Sequence, residues 1–325
     1  MGKNTAQLKV YHGYGHANNL VVYGHVFKYK ANANQYYKNN FWANLVHVFK
    51  LFVLQPYPFI NVRLNFRDQQ VFGRTASDGF FKLEWKVDHS LSAGWHKVEI
   101  IALNESGEEI ANGEGKVYVP YITQYAFISD IDDTIMVSHS RTIFKRLREL
   151  IIRNPHTRKT FQSTQQHYQL LANAQTTAEQ PNPFFYVSSS EWNLYDYLVE
   201  TFRYNGFPEG TFLLNQIKRW TDLLKTGKTG HEGKLVRIAR IMNAFPNQKF
   251  VLLGDNSQQD PIIYQKIAEK YGTNIVAIYI RNVRNSKLSA TELILNKLAA
   301  NNVETCLFNH SEEAITHAKS INLIS

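Results

Sequence analysis

Three polar clusters and one lysine after residue 120 carry residue types that could do chemistry. SDIDDT holds two aspartates two positions apart and a threonine, SSS holds three serines, and GDNSQQD holds two more aspartates. The candidate residues are Asp130, Asp132, Thr134, Ser188, Lys234, Asp255 and Asp260. Carboxylate oxygens suit Mg²⁺, which is commonly bound together with a substrate phosphate. A lysine could neutralise phosphate charge, so the set is suited to phosphoryl chemistry.

Each cluster also has a purely structural interpretation. Asp and Thr often bond the free backbone N–H groups of turns and helix starts, so SDIDDT alone could be a turn or a helix cap. Asp260 precedes Pro261, and that pair is a common helix start, so capping is an alternative to a role in metal binding. We interpret Ser189 and Ser190 as helix caps, which leaves Ser188 as the serine that binds phosphate.

A change of periodicity near residue 120 divides the chain into two regions. Before it, short runs rich in Val, Ile, Phe and Tyr alternate with turn sequences such as SDG, NESG and NG, a pattern typical of antiparallel strands. After it, apolar runs alternate with amphipathic helical patterns, which is typical of a parallel α/β sheet. We therefore predict an accessory β-sandwich over residues 1–121 and a doubly wound α/β domain over residues 122–325.

The apolar runs of the second region predict strands, and the polar clusters follow them directly. The predicted strands are residues 125–128, 184–187, 250–253, 275–280 and 303–308. SDIDDT follows the first, SSS the second and GD the third. Ligands of open parallel sheets bind at the carboxyl ends of the strands, so the clusters should converge on one crevice. Arg281, which follows the fourth strand, could bind phosphate or close a sheet edge.

Composition narrows the class of protein. At 325 residues the chain is long enough for about two domains, and 44% apolar residues with 19% charged residues favour a globular protein over a disordered one. A net charge of +9 suits a polyanionic partner. The single cysteine, Cys306, excludes an intramolecular disulfide and favours a reducing compartment, and no signal sequence is evident, so we expect a cytoplasmic protein. The apolar segment 41–54 is too short and too polar to span a bilayer.

The clusters resemble the motifs of the haloacid dehalogenase superfamily of aspartate-dependent phosphatases, whose first motif is a strand followed by DxDxT. Four segments further resemble the phosphatidate phosphatase family of the yeast actin-patch type: DIDDTI, FFYVSSSEWNLYDYLVETF, FPEGTFLL and FVLLGDNSQQDPIIY. The resemblance is strong over about two-thirds of the chain and weaker in the β-rich first third. It implies a haloacid-dehalogenase-like, Rossmann-like sheet with a small helical cap inserted at about 135–183.

The resemblance also implies a role for each candidate. Asp130 matches the nucleophile, Asp132 the general acid and base, and Thr134 the closing threonine of the first motif. Ser188 and Lys234 match the residues that bind the phosphoryl group. The residues implied as ligands of Mg²⁺ are Asp130, Asp132, Asp255 and Asp260.

The third motif departs from the family pattern. A His-Lys pair is expected there, whereas Gly233 precedes Lys234 in this chain. Lys225 and Lys228 therefore remain alternatives for the phosphate-binding lysine.

The expected function is Mg²⁺-dependent hydrolysis of a lipid phosphomonoester, with phosphatidate as the substrate implied by the resemblance and an aspartyl phosphate as the intermediate. Residues 141–159 form a basic amphipathic pattern that could rest on anionic lipid or simply pack as a cap helix. We expect an anionic phospholipid or membrane surface as partner, at the periphery of a membrane, and no nucleic acid. The alternatives are a phosphatase of the same mechanism acting on a phosphoprotein, a nucleic-acid end or a soluble metabolite, and a non-catalytic module that binds a membrane or partner.

Overall fold

The structure is a computed structural model that describes residues 6–28, 55–136, 161–215 and 230–325. These residues form two compact units, one up to Pro120 and the other from Tyr121. The apolar segment 41–54 and the basic segment 141–159 lie outside the described residues, as do Lys225 and Lys228. Within the described ranges, no helix combines the length and apolar character needed to cross a membrane.

The first unit is a largely antiparallel sheet. In the described residues it has eight strands: β1 (Gln7–Val10), β2 (Gly13–Tyr14), β3 (Leu20–Phe27), β4 (Asn61–Phe66), β5 (Gln69–Arg74), β6 (Phe80–Trp85), β7 (Gly94–Leu103) and β8 (Glu109–Val119). They are ordered β1-β3-β2-β8-β7-β4-β5, with β6 paired to the other edge of β3. The pairing between β2 and β8 is parallel and short. An antiparallel first region is therefore confirmed, and the finer description as a sandwich stays a prediction.

The core of this unit follows from the alternation of side chains along each strand. In β4, Val62, Leu64 and Phe66 are buried while the residues between them are partly or fully exposed. Residues two apart on a strand point to the same face, so the apolar members of neighbouring strands meet on one side of the sheet. They join Leu20 and Val22 of β3 in a single apolar cluster.

One turn expected from the sequence lies inside a strand instead. Asn112-Gly113 reads as a hairpin turn, but it belongs to the continuous strand β8. A Cβ on Gly113 would come within 2.7 Å of the Leu8 side chain, and one on Gly115 within 2.2 Å of Val10. These glycines therefore allow side chains of β1 to approach the backbone of β8, and the glycine signal reports close packing rather than a turn.

The second unit is a parallel sheet with helices. In the described residues its strands are β9 (Tyr125–Ser129), β10 (Phe184–Glu191), β11 (Thr211–Asn215), β12 (Lys249–Asp255), β13 (Ile275–Arg281) and β14 (Glu304–Phe308). Its helices are α1 (Thr164–Ala172), α2 (Tyr195–Tyr204), α3 (Gly230–Ala244), α4 (Asp260–Tyr271), α5 (Leu288–Ala299) and α6 (Ser311–Ser320). A mixed α/β protein with separate antiparallel and parallel sheets is confirmed. Strand β11, at one edge of the sheet, was not predicted.

The strand order places the site. The sheet runs β11-β10-β9-β12-β13-β14, and every pairing in it is parallel. The chain adds β10 and β11 on one side of β9 and then returns to add β12 on the other side. Ligands of open α/β sheets bind where the order reverses in this way, outside the carboxyl ends of the strands. Here that point lies between β9 and β12.

Candidate active site

Three neighbouring strands bring the predicted residues to one edge of the sheet. Asp130 follows β9, Ser188 lies near the end of β10, and Asp255 ends β12. The backbone N–H of Asp130 donates to the Leu253 carbonyl at 2.9 Å, which fixes the start of the SDIDDT loop against β12. All three side chains are buried. The predicted convergence of the three clusters therefore holds in the structure.

Three of the carboxylates form a tight buried group. Asp130, Asp255 and Asp260 each offer an oxygen, and these oxygens lie within 4.8 Å of one another. The hydroxyl of Thr134 sits beside two of them: its Oγ1 donates to Asp255 Oδ2 at 3.1 Å and lies 3.5 Å from Asp130 Oδ2. The threonine that closes DIDDT thus bridges the loop after β9 and the end of β12.

Lys234 is the cation of this group. It lies on α3, is buried, and its Nζ is 2.8 Å from Asp130 Oδ1 and in contact with Asp260 Oδ1. Burial disfavours the charged ammonium, but the carboxylates of Asp130 and Asp260 outweigh that effect and raise the pKa of Lys234 above its ordinary value. Lys234 therefore lies among the predicted site carboxylates, and its phosphate-binding role stays a prediction.

The pKa values of Asp130 and Asp260 are also raised, because for these carboxylates burial outweighs the effect of the ammonium. Burial raises the pKa of Asp130 well above its ordinary value; the Lys234 ammonium acts against this, and the charges of Asp260, Asp255 and Asp132 add to it. Burial likewise raises the pKa of Asp260, again opposed by Lys234. One ammonium does not balance three buried carboxylates, so the site has a deficit of positive charge.

The side chain of Asp260 turns into the site rather than capping its helix. Gln259 is the residue before the first turn of α4, and Asp260 is the first residue within it. One Asp260 oxygen contacts Lys234, and the other accepts the backbone N–H of Asp255 at 3.3 Å. A Cβ at Gly254 would come within 2.6 Å of Asp260 Oδ2, so the glycine before Asp255 makes room for this carboxylate. This geometry favours the site role over the capping alternative.

Asp132 lies apart from the carboxylate group and against the serines of β10. Its Oδ2 accepts hydrogen bonds from Ser188 Oγ at 3.1 Å and from Ser190 Oγ at 2.8 Å. Its side chain is not among the oxygens that converge within 4.8 Å in the described residues. Ser188 is thus near the site as predicted, and the metal-ligand role of Asp132 stays a prediction.

Ser190 is a site residue that the sequence interpretation missed. It belongs to β10, which continues to Glu191, so neither Ser189 nor Ser190 caps the following helix. Ser188 and Ser190 lie two positions apart and point to the same side of the strand, which explains why both reach Asp132. The available signal was this period of two within SSSE, directly after the apolar run.

Buried Arg281, at the end of β13, holds the SDIDDT loop through hydrogen bonds. Its Nε donates to the backbone carbonyl of Thr134 at 3.1 Å, and its Nη2 donates to the hydroxyls of Thr164 and Ser311 at 3.0 and 2.9 Å. The guanidinium also lies 4.3 Å from the centre of the Phe161 ring. These contacts give Arg281 a structural function in holding the SDIDDT loop, and they leave its donors directed at protein groups.

The three buried carboxylates could hold a metal ion. They supply oxygen ligands, which suit a hard divalent cation, and their excess negative charge is the electrostatic requirement for binding one. The donor set contains no sulfur or imidazole, which sites for softer metals commonly use. The residues therefore fit the kind of cofactor that the sequence predicts.

Comparison with known proteins identifies the segment that carries this site. Residues 125–282 match the family described as "Phosphatidate phosphatase APP1, catalytic domain". The resemblance to the phosphatidate phosphatase family is thereby confirmed. The matched segment contains every predicted site residue, from Asp130 to Asp260. A match to a catalytic domain supports the prediction of a phosphatase-type hydrolase.

Two curated proteins extend this result. Phosphatidate phosphatase APP1 of Saccharomyces cerevisiae is 35% identical over 104 residues, covering 32% of this chain and 17% of the yeast protein. An uncharacterised protein of Schizosaccharomyces pombe is 25% identical over 216 residues, covering 64% of this chain and 34% of its own length. The chain thus spans 17% and 34% of the lengths of these two relatives.

A match to a solved structure illustrates a remote likeness. A β-glucuronidase of Parabacteroides merdae covers 93% of this chain and 40% of its own, at 7% identity and a TM-score of 0.29. A likeness at that level carries no functional argument. The assignment therefore depends on the family match and on the geometry of the site.

Proposed function

We propose that the second unit is a Mg²⁺-dependent phosphatase that hydrolyses a lipid phosphomonoester, most specifically phosphatidate to diacylglycerol and phosphate. The observation that carries the proposal is the buried group of Asp130, Asp255, Asp260 and Lys234 at the reversal point of the sheet. This group lies inside the segment that matches the phosphatidate phosphatase family. The choice of a lipid substrate is supported by that match and by the net charge of +9.

We extend the proposal to the fold of this unit, as a haloacid-dehalogenase-like doubly wound sheet. The strand order β11-β10-β9-β12-β13-β14, read along the chain as 3-2-1-4-5-6, supports it. The DxDxT sequence directly after the first central strand supports it as well. The assignment of residues 1–121 to an accessory β-sandwich and of about 135–183 to a cap remains part of the proposal.

The proposed reaction has two displacements at phosphorus. Asp130 attacks and forms an aspartyl phosphate, while protonated Asp132 gives its proton to the departing oxygen; Asp132 then takes a proton from the water that releases phosphate. The neighbouring ammonium of Lys234 and the hydroxyl of Ser188 are placed to hold phosphoryl oxygens. Thr134, through its bond to Asp255, keeps the loop that carries both aspartates against β12.

Mg²⁺, held by Asp130, Asp255 and Asp260, would supply positive charge to the phosphoryl oxygens. Its identity is proposed from the oxygen-only ligand set and from the family resemblance. The predicted participation of Asp132 in the same site belongs to this proposal too.

The partner proposed for the whole chain is an anionic phospholipid surface, reached from the cytoplasm. The net charge of +9 supports this partner because anionic lipids attract basic surfaces.

The test is release of inorganic phosphate from phosphatidate in detergent micelles with Mg²⁺, compared with EDTA and with the variant Asp130→Asn. We expect release by the wild type that both EDTA and the substitution abolish. A soluble aryl phosphate in the same assay separates the alternatives. Release from the aryl phosphate alone would retain the aspartate mechanism and reject the lipid substrate. No release from either substrate, with binding to lipid that survives Asp130→Asn, would favour the non-catalytic module.

A further inference from the structure

A short hydrogen bond to the proposed general acid comes from a serine to which the sequence analysis gave no catalytic role. Ser190 Oγ lies 2.8 Å from Asp132 Oδ2, closer than Ser188 Oγ at 3.1 Å. Ser190 is buried in β10, and its backbone N–H donates to Ser188 Oγ at 2.9 Å. The two serines therefore form one hydrogen-bonded unit on the same oxygen of Asp132.

The hydroxyl groups of Ser188 and Ser190 differ in the hydrogen bonds that the proposed mechanism requires them to donate. A serine hydroxyl has a single hydrogen to donate. In the structure Ser188 donates that hydrogen to Asp132 while its oxygen accepts from the Ser190 backbone. If Ser188 is to donate to a substrate phosphate, it has to turn its hydrogen away from Asp132. The proposed mechanism assigns Ser190 no bond to the substrate, so its hydroxyl can keep its bond to Asp132 throughout.

We infer that Ser190 is a positioning residue that holds Asp132 in place for proton transfer to the leaving oxygen. The inference rests on the proposed phosphatase function. Both serine bonds end on Oδ2, which favours Oδ2 as an acceptor oxygen and Oδ1 as the oxygen that carries the acid proton. Ser190 thus selects the oxygen that carries the proton as well as the orientation of the side chain.

Ser190 supports the proton transfer that accompanies the first displacement at phosphorus. A bond forms between an Asp130 oxygen and phosphorus as the bond from phosphorus to the leaving oxygen breaks. The proton on Asp132 Oδ1 passes to that leaving oxygen, giving a neutral alcohol. Asp132 becomes a carboxylate whose Oδ2 still accepts the hydroxyl of Ser190.

A comparison of two leaving groups tests this role. The alcohol of phosphatidate needs a proton as it departs, whereas 4-nitrophenolate departs as a stable anion and needs little acid assistance. Loss of a positioned general acid should therefore lower kcat/KM for phosphatidate far more than for 4-nitrophenyl phosphate, both presented in the same micelles. We expect Ser190→Ala to lower the first at least about tenfold, within the usual contribution of a general acid, and the second by less than about threefold.

The neighbouring serine provides the matched control. The buried Oγ of Ser189 makes no hydrogen bond within the described part of the chain, so Ser189→Ala removes the same atoms without touching Asp132. It should leave kcat/KM for both substrates within about twofold of the wild type, since the hydroxyl it removes has no bond to lose. Asp132→Asn gives the full effect of removing the acid and should show the same selectivity as Ser190→Ala, more strongly.

The outcomes are distinct. Equal losses on both substrates for Ser190→Ala, or selective loss for Ser189→Ala, would overturn the positioning role while the proposed function stands. Ser190→Cys, which has the same shape with a slightly larger atom and donates only weakly, repeats the comparison if the alanine variant folds poorly. A wild type that hydrolyses neither substrate would overturn the proposed function and this inference together.

Discussion

The charge balance of the site is set by the Lys234 ammonium and three buried carboxylates, and it affects both stability and metal binding. Removing one partner of a buried ion pair leaves a buried charge that nothing balances, at a cost of about 3–5 kcal/mol. Here the imbalance is already present, because three carboxylates face one ammonium. A divalent cation would correct it. Each of these residues therefore affects both stability and metal binding.

We predict that Mg²⁺ raises the thermal unfolding midpoint of the wild type and that Asp255→Asn abolishes this rise. A ligand present at about 100 times its dissociation constant adds about 2.7 kcal/mol to stability. In EDTA the same variant should melt at or above the wild-type temperature, since one repelling carboxylate has been neutralised. Differential scanning calorimetry with and without Mg²⁺ measures both effects.

Asp133→Asn is the control for that experiment. Asp133 accepts the Ser257 hydroxyl at 3.0 Å and has a φ of 61°, a left-handed conformation that asparagine also adopts readily. Its Mg²⁺-dependent rise should equal that of the wild type. A full rise in Asp255→Asn would exclude the metal site placed here.

His167 predicts a pH dependence of stability. Burial, with a smaller effect of Arg281, lowers its pKa to about 3. The unfolded chain has a histidine pKa of about 6.5, so below that pH the unfolded state takes up a proton that the folded state does not. The stability is thus fully present above about pH 6.5 and is lost as the pH falls toward 3, amounting to about 2 kcal/mol between pH 7 and 5.

The variant His167→Phe isolates this contribution. His167 packs edge-on against the Tyr168 and Tyr279 rings, contacts that phenylalanine can keep. Urea unfolding of wild type and variant at pH 7 and pH 5 should show a free energy of unfolding that falls by about 2 kcal/mol less in the variant. An identical pH dependence in both proteins would contradict the assignment.

The candidate residues could be predicted from the sequence because they follow strands. Asp130 and Asp255 both come after apolar runs, and parallel strands bring such positions together. Ser190 could not be placed in the same way because the apolar run ends at Val187 while β10 continues to Glu191. Its bond to Asp132 depends on backbone pairing beyond the apolar residues, which hydrophobicity does not report.

At the scale of the elements, Arg281 connects three of them. It ends β13, and its guanidinium bonds the loop after β9, the first residue of α1 and the first residue of α6. The bonds are made with the fixed fork of donors that arginine has and lysine lacks. The position of the SDIDDT loop therefore depends on a residue about 150 positions later in the chain.

We predict that Arg281→Lys lowers the free energy of unfolding by about 2 kcal/mol, because hydroxyl and carbonyl groups lose a buried donor. Amide hydrogen exchange at residues 131–136 should accelerate in the variant, since the Thr134 carbonyl is released. Arg203→Lys is the control: Arg203 is exposed and pairs with Glu200 one turn earlier, so its loss should change stability by less than about 0.5 kcal/mol. Unchanged exchange at 131–136 would show that Arg281 does not hold the loop.

Most elements of the second unit could be predicted, and the exceptions have physical causes. β11 is a short edge strand, TFLLN, and its apolar run of three residues, FLL, is too short to distinguish a strand from a turn by periodicity. In the first unit, β5 alternates between partly and fully exposed residues and lacks the continuous apolar signal of β3. Glycines 113 and 115 punctuate the sequence like turns, yet their role is set by β1, which lies far away in the chain.

At the scale of the whole molecule, the net charge of +9 predicts salt-dependent binding to the proposed anionic lipid surface. Electrostatic attraction to an anionic surface weakens as salt shortens the screening length, from about 10 Å at 0.1 M to about 3 Å at 1 M. We predict cosedimentation with phosphatidylcholine vesicles that contain phosphatidate, and little with phosphatidylcholine alone. Raising the salt should reverse it. Equal, salt-independent sedimentation with both vesicles would indicate apolar insertion instead.

Substrate identity is the part of the function that the sequence pattern does not reach. The reacting residues occupy fixed places relative to the strands, so their types and spacing reveal them. The groups that would select an acyl chain or headgroup depend on side chains brought together from distant positions. For that reason the residues support the proposed mechanism, whereas the proposed lipid substrate is supported by the family match and the net charge.

The position of β9 in the sheet has a consequence for how the protein is made. β9 pairs with β10 on one side and with β12, more than a hundred residues later, on the other. A ribosome that has just released SDIDDT has not yet translated Lys234 or Asp255, so the growing chain carries its acidic loop without the partners that neutralise and enclose it. Activity should therefore appear only after β12 and the start of α4 have emerged, when the half-built sheet can close.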